Sequence, residues 1–262
     1  MSDTLASLSR KIRSAGDLQS VVRTMKALTA SSIGQYEKSA RSLSEYYRTV
    51  ELGLSVCFRK IEATAPPLDG KGQVDVGAIG AVVFGSDQGL VGQFNDVVAD
   101  FAAKTLASLP RPPRVWAVGE RVHARLASAG LPVVGLFTVP QSVKTIGSLV
   151  GQILVEHETH HERGEVAALH LFYNRPTSGA VYGPAHRRLL PLDETWLEEL
   201  ADLPWPTRNL PEVIGEGIDT LRSLIGEYLF VSLFRACAES LVSENASRLA
   251  AMQRADKNID EL

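Results

Sequence analysis

The sequence predicts an α/β protein in which a long antiparallel coiled coil, formed by the N- and C-terminal helices, carries an inserted three-layer α/β domain with a mainly parallel sheet. Residues 4–59 contain no proline and follow a heptad pattern, and residues 212–262 do the same. Between these ends, apolar runs alternate with helical patterns. That alternation is typical of a parallel sheet covered by helices on both faces.

The first helix carries a long apolar stripe with a seven-residue period. Its heptad positions are Leu5, Leu8, Ile12, Ala15, Gln19, Val22, Lys26, Thr29, Ile33, Tyr36, Ala40, Leu43, Tyr47, Val50, Leu54 and Cys57. The polar exceptions, Gln19, Lys26 and Thr29, cluster together. A frame shifted by one residue is apolar there, at Leu18, Val21, Met25 and Leu28. We therefore expect the contact face to drift around the helix in this region.

The last helix repeats the pattern. Its heptad positions are Leu221, Leu224, Tyr228, Val231, Arg235, Ala238, Val242, Asn245, Leu249, Met252, Asp256 and Ile259. A long helix with one apolar stripe is stable only when that stripe is covered. The other terminal helix is the nearest partner, and the inserted domain returns the chain so that the two helices run antiparallel.

The middle of the chain predicts alternating strands and helices. The predicted strands are 74–84, 115–118, 133–137 and 166–173, with a further edge strand at 180–192. The predicted helices are 95–108, 120–129 and 142–162. We therefore divide the chain into a shaft (1–62 and 212–262), a foot (74–192) and two linkers (63–73 and 193–211).

Composition narrows the functional classes. The 262 residues carry a net charge of −3, which disfavours a general nucleic-acid binder. No run approaches the ~18 apolar residues of a membrane span, and the N-terminus has no apolar signal core. The two cysteines, Cys57 and Cys237, lie far apart in helical patterns, which favours buried thiols in a reducing compartment.

The glycine-rich segment 85–92 follows a predicted strand and precedes a helix, where phosphate-binding loops lie. It lacks the third-position glycine of a dinucleotide fingerprint, since Asp87 stands there, and it has no Gly-Lys-Ser/Thr. A structural turn is the favoured interpretation. An α/β nucleotide-binding enzyme with helical dimerisation arms remains the alternative.

The segment His157-Glu158-Thr159-His160-His161 matches the zinc-protease pattern H-E-x-x-H. A zinc hydrolase using His157 and His161 as ligands and Glu158 as general base is therefore a second alternative. The segment is rich in Glu and His, and the favoured interpretation is the solvated end of a surface helix.

Three segments resemble the γ subunit of F-type ATP synthases. Residues 24–31, TMKALTAS, are similar to the family's A-M-K-M-V-A-A-S. Residues 86–95, SDQGLVGQFN, are similar to S-D-R-G-L-C-G-G-L-N. Residues 243–255, SENASRLAAMQRA, are similar to S-E-x-x-A-R-M-x-A-M-x-x-A. Their order and spacing agree with the family over nearly the whole chain.

Some positions depart from the family pattern and indicate a divergent branch. Ser32 replaces the usual lysine, Gln88 and Val91 replace Arg and Cys, and Gln93-Phe94 replaces Gly-Leu. The family's last helix also normally continues for several turns beyond this chain. We expect either a short branch of the family or a truncated chain.

The resemblance implies a central-stalk rotor subunit that couples ion flow to ATP synthesis or hydrolysis at the β subunits. Its implied partners are the α and β subunits, the ε subunit and the ring of c subunits. It implies no catalytic residue, no metal and no cofactor in this chain, no nucleic-acid partner, and membrane association through partner subunits alone. The implied location is the cytoplasmic face of a bacterial inner membrane.

The resemblance also assigns residues. Met25 and Lys26 match the segment opposite the acidic lever of β, and Arg248, Met252 and Gln253 match the C-terminal segment that engages β. Five basic and two acidic residues give positions 1–30 a charge of +3, which suits an acidic partner. The partner-binding set thus includes Arg10, Lys11 and Arg13. Four residues of the second motif are expected to hold a turn, namely Asp87, Gly89, Gly92 and Asn95.

Overall fold

A computed structural model of the chain describes residues 5–64, 77–192, 194–209, 211–213 and 217–261. In chain order its elements are α1 Leu5–Thr64, β1 Ala78–Phe84, α2 Phe94–Ala107, β2 Pro113–Val118, α3 Glu120–Ser128, β3 Val133–Phe137, α4 Val143–Glu162, β4 Val166–Arg175, β5 Gly183–Leu190, α5 Glu194–Ala201 and α6 Ile218–Asp260.

Helices α1 and α6 form the shaft. Their 60 and 43 residues correspond to lengths of about 90 and 65 Å. Residues further along α1 contact residues nearer the start of α6. Gly53 faces Leu224, the Tyr46 hydroxyl lies 2.7 Å from Glu227, and Gln19 reaches Asp260. The predicted antiparallel pair is therefore confirmed.

The contact face of α1 does not drift, which corrects the expectation from the heptad pattern. Thr29 in the original frame is buried. In the shifted frame Met25 is partly buried, whereas Leu18, Val21 and Leu28 are 56%, 57% and 65% exposed. The facing turn of α6 presents the Asp256 carboxylate, and a purely apolar α1 face would leave that carboxylate buried without a partner. The frame that carries polar side chains therefore faces α6.

The foot is a five-stranded sheet in the order β3-β2-β1-β4-β5. Strands β1 to β4 are parallel, and β5 pairs antiparallel with β4 at the edge. Helices α2 and α3 cover one face of the sheet, while α4 and the shaft cover the other. This arrangement confirms the predicted three-layer domain with a mainly parallel sheet.

Several element bounds differ from the sequence-based prediction, among them the edge strand predicted at 180–192, which runs Gly183–Leu190, and one helix was not predicted. The strand predicted over 74–84 begins at Ala78, and residues 74–76 lie outside the described residues. Helix α5 lies within the predicted linker 193–211, where the nearby prolines hid a short amphipathic pattern. It packs on the shaft, with Leu200 buried and the rings of Trp196 and Tyr228 4.6 Å apart.

Both cysteines are buried and unpaired, as predicted. Within the described residues, no helix combines the length and the apolarity that crossing a bilayer requires. The first turns of α1 nevertheless expose large apolar side chains, with Leu5 88%, Leu8 45% and Ile12 71% exposed. The free end of the shaft is therefore apolar without resembling a membrane span.

Candidate functional site at the shaft and its junction with the foot

The second and third motif segments meet α1, just after the first motif, where the shaft crosses the end of the sheet. A polar cavity of about 110 Å³ lies between them. Its walls include Ser32 and Tyr36 of α1, Asp87 and Gln88 of the loop after β1, and Glu244 and Arg248 of α6. Segments more than 50 residues apart in sequence thus form one junction between the shaft and the foot.

Residues 85–93, here called the motif loop, are held by side chains that bond to backbone groups. Asp87 accepts the backbone N–H of Glu120 at 3.0 Å and that of Val139 at 2.9 Å. The Asn95 Oδ1 accepts the N–H of Ser86 at 2.9 Å, and its Nδ2 donates to the Ser86 hydroxyl at 2.8 Å. Asp87 and Asn95 therefore join the loop to the starts of α2 and α3 and to the segment after β3.

The two motif glycines differ in their roles. Gly92 has a φ of +57°, a left-handed conformation that glycine adopts readily, and Leu90 is also left-handed at +63°. No steric neighbour requires glycine at position 89, where a Cβ would have ordinary contacts. The Ser247 hydroxyl donates to the carbonyl of Val91 at 2.6 Å, so the loop is bonded directly to the shaft.

Arg248 forms an ion pair with Glu244 one turn earlier on α6, at 2.6 Å. The two side chains are only 12% and 7% exposed. Burial raises the pKa of Glu244, Arg248 opposes that rise, and the negative charge of Asp87 adds to it. In this chain the Arg248 guanidinium therefore balances a buried carboxylate of its own helix.

The remaining predicted residues of α6 lie on different sides of the helix. Met252 is buried at 3% exposure, whereas Gln253 is exposed. Of this pair, Gln253 alone is open to a partner in the isolated chain.

Met25 and Lys26 are both partly buried on α1. The Lys26 ammonium lies 2.6 Å from the Asp256 carboxylate, and this hydrogen bond is the main reason that the pKa of Asp256 is lowered. Arg23 approaches the same carboxylate at 4.0 Å. Lys26 thus contacts α6, although its side chain is still 30% exposed to solvent.

Arg10, Lys11 and Arg13 are exposed on the first turns of α1. They lie among the exposed apolar side chains of that end. The partner-binding set predicted from the sequence is therefore split between an exposed basic and apolar end, a contact inside the shaft, and the buried junction.

The motif loop does not fit a nucleotide. The cavity beside it is smaller than the ~300 Å³ typical of small-molecule sites, and two carboxylates, Asp87 and Glu244, line it. The backbone N–H of Ser86 already bonds to Asn95. A Cβ on Gly85 would lie 2.3 Å from Val122, so this glycine serves close packing.

The H-E-x-x-H segment lies at the end of α4. The rings of His157 and His161 stack 5.9 Å apart, and the Nδ1 of His161 lies 3.0 Å from the carbonyl of Val166. Burial lowers the pKa of His157 to about 4. Within the described residues, no three His, Cys, Asp or Glu side chains are grouped so that they could hold a metal ion.

Two carboxylates were missed as interaction residues. Asp256 occupies a heptad position of α6 and pairs with Lys26 at a heptad position of α1. The heptad pattern could therefore have indicated this pair. Glu244 belongs to the third motif and lies four residues before Arg248, a spacing that allows an ion pair on a helix. The importance of this pair depends on the burial of both side chains, which the sequence does not show.

Comparison with known proteins agrees with this architecture. The family model described as ATP synthase matches residues 4–262. The chain is 29% identical to the ATP synthase gamma chain of Clavibacter michiganensis subsp. michiganensis, covering 97% of this chain and 86% of that protein. It is 27% identical to the ATP synthase gamma chain of Nitrosomonas eutropha, covering 96% and 88%.

Solved structures show the same fold. A central stalk/c-ring structure of the Tetrahymena thermophila mitochondrial ATP synthase has a chain with a TM-score of 0.59 and 21% identity, covering 90% of this chain and 99% of that one. A rotor structure of the Euglena gracilis mitochondrial ATP synthase gives 0.60 and 17%, covering 97% and 91%. With a family match over nearly its whole length, the chain belongs to the ATP synthase family whose curated members are named ATP synthase gamma chain.

Proposed function

We propose that this chain is the central-stalk rotor subunit of an F-type ATP synthase, coupling ion flow through a membrane sector to ATP synthesis or hydrolysis at the β subunits. The observation that carries the proposal is the antiparallel pair of 60- and 43-residue helices in a chain that matches the family over residues 4–262. A stiff helix pair suits transmission of torque, because a flexible tether would dissipate strain between distant sites.

The chain acts without catalysing a reaction itself. It binds the α and β subunits with the shaft, and the ε subunit and the ring of c subunits with the foot. A rotor that contacts three β subunits differently favours a different conformation in each, which is a coupling free energy between distant sites. In a bacterium, these partners would hold it at the cytoplasmic face of the inner membrane.

The exposed end of α1 is the surface we assign to the catalytic head. Arg10, Lys11 and Arg13 supply positive charge for an acidic partner, and the neighbouring apolar side chains supply area that is best removed from water. Gln253 is exposed on α6 near the level of Lys26, where it would extend the contact further along the shaft. Arg248 and Met252 would support this surface from the junction and the shaft interior.

Native mass spectrometry of the chain co-expressed with α and β from the same source, with ATPase activity measured on the same sample, tests this proposal. We expect one copy per three α and three β, and loss of activity when the chain is omitted. A variant with Arg10→Glu and Arg13→Glu should assemble more weakly, whereas Arg222→Glu, an exposed reversal near the start of α6, should not.

Assembled α and β with full activity in the absence of this chain would overturn the rotor function. Equal assembly of the two reversal variants would instead reject the assignment of the basic end of α1 as the contact surface.

A further inference from the structure

Four polar side chains lie between the N-terminal part of α1 and the C-terminal part of α6, where an apolar contact would be expected. These are Gln19 and Lys26 of α1 and Asp256 and Asp260 of α6, here called the polar layer. Lys26 bonds to Asp256 at 2.6 Å, and the Gln19 amide bonds to Asp260 at 2.5 Å. The side chain of Asp256 is 16% exposed, so most of this acceptor is withdrawn from water.

The same turns of α1 point apolar side chains away from α6. Leu18, Val21 and Leu28, here called the outer stripe, are all more than half exposed, while Thr29 beside Leu28 is 5% exposed. Turning α1 by one residue would bury the outer stripe and expose the polar residues. The observed orientation is the opposite of what hydrophobic burial alone would select.

We propose that the polar layer fixes the orientation and register of α1 against α6 and thereby holds the outer stripe outward. Turning α1 would leave the Asp256 carboxylate, whose side chain is only 16% exposed, without its Lys26 donor, which outweighs the apolar area gained. Single polar residues at contact positions are known to set register in coiled coils at a cost in stability.

The sequence of the neighbouring turns supports the register argument. A slip of one heptad, about 10 Å along the axis, would place Lys26 opposite Leu249, or Asp256 opposite Ile33. Either arrangement sets a charge against an apolar side chain. Asn245, another polar residue at a heptad position, bonds to the carbonyl of Leu241 in its own helix at 2.8 Å. The polar layer is therefore better placed than Asn245 to discriminate between registers.

The outer stripe fits an apolar surface of a partner subunit. That use rests on the proposed function, because it places the α and β subunits around this end of the shaft. The orientation of α1 does not depend on any partner, so it can be measured on the full chain alone.

Two cysteine reporters introduced one at a time, Leu28→Cys and Thr29→Cys, read the orientation through their maleimide labelling rates. Peptide mapping by mass spectrometry separates each reporter from the buried native cysteines. In the otherwise unchanged chain, we expect Leu28→Cys to label roughly tenfold faster than Thr29→Cys, because the two positions differ so strongly in exposure.

Asp256→Lys places a cation against Lys26 and near Arg23. We expect Thr29→Cys to label faster and Leu28→Cys to label more slowly in this variant. The restoring variant Lys26→Glu with Asp256→Lys should return both rates to within about twofold of the original, since the pair is rebuilt with reversed charges. Asp219→Lys, a reversal at an exposed position of α6, is the matched control and should change neither rate.

Faster labelling of Thr29→Cys with unchanged labelling of Leu28→Cys would overturn the proposal, because the pair would then hold the helices together without orienting them. Unchanged rates at both reporters would overturn it as well. Failure of the chain to assemble with α and β would count against the proposed function and leave the labelling result intact.

Discussion

At the scale of single residues, Glu244 places a carboxylate in the interior between shaft and foot. Its side chain is 7% exposed, and Arg248 is its only ion-pair partner among the described residues. Removing one member of a buried pair leaves the other charge without compensation, whereas exposed pairs contribute little. The Arg248 guanidinium is therefore expected to matter for stability as well as for any partner contact.

Arg248→Ala should lower the free energy of unfolding by about 3 kcal/mol, because the Glu244 carboxylate remains buried. Urea denaturation of the full chain measures this. The matched control is Arg41→Ala, whose partner Glu37 lies at 3.2 Å in an exposed pair, and it should change stability by less than about 0.5 kcal/mol.

The double variant Glu244→Leu with Arg248→Leu should lose less stability than Arg248→Ala, since no unpaired charge remains. Equal losses for Arg248→Ala and Arg41→Ala would contradict the structural importance of the buried pair.

At the scale of elements, the motif loop depends on close approach between two chain segments. Gly119 has a φ of +112°, and a Cβ there would lie 2.7 Å from the backbone of Ser86. The loop and the start of α3 can pack this closely only when position 119 carries no side chain. The bond that Asp87 accepts from the backbone N–H of Glu120 then holds the two segments together.

Gly119→Ala should lower the free energy of unfolding by about 2–3 kcal/mol, through backbone strain and displacement of the motif loop. Gly151→Ala is the matched control in helix α4. A Cβ at position 151 meets nothing within 4 Å, and the change should raise stability by about 0.5–1 kcal/mol, because alanine loses less conformational entropy in a helix. Thermal and urea denaturation give both values, and losses of similar size would contradict the steric explanation.

At the scale of the whole molecule, two buried histidines in different parts of the foot make stability depend on pH. His157 of α4 and His170 of β4 are 6% and 5% exposed, and burial is the main cause that lowers the pKa of each to about 4. The Nδ1 of His170 also lies 2.8 Å from the Nε2 of His186, a hydrogen bond that needs an unprotonated acceptor. The folded protein therefore keeps both histidines neutral.

The free energy of unfolding should fall as the pH drops from about 7 to 5. The unfolded chain takes up protons near the ordinary histidine pKa of 6.5, while the folded chain does so only near 4. Each histidine contributes up to about 2 kcal/mol over this range. Urea denaturation at pH 7, 6 and 5 measures the slope, and His157→Gln should make it shallower. An unchanged slope in His157→Gln would show that this histidine titrates alike in the folded and unfolded chain, against a pKa lowered by burial.

The residues that carry each motif were visible in the sequence, but their interactions were not. Met25, Lys26, Arg248 and Met252 were assigned to partner contacts by resemblance. Lys26 bonds to Asp256, Arg248 bonds to Glu244, and Met252 is buried. The Lys26–Asp256 contact joins two helices, and the Glu244–Arg248 pair matters because it is buried. Neither property can be recognised when each sequence segment is examined separately.

The architecture follows from patterns that are visible in the sequence. The heptads of the two ends and the alternation of strands and helices between them are local patterns, because side-chain periodicity follows directly from helix and strand geometry. The order and spacing of the three motifs likewise determined the family.

Only the fold shows which face of α1 meets α6 and brings the second and third motifs together at the junction. Either of two heptad frames of α1 could face α6, and burial of apolar area alone favours the frame that the structure leaves exposed. The Asp256 carboxylate settled the choice, because its cost of burial depends on the Lys26 donor, which lies more than 200 residues away in the chain. Helix periodicity is local, whereas the partner that satisfies a buried charge is supplied by the fold.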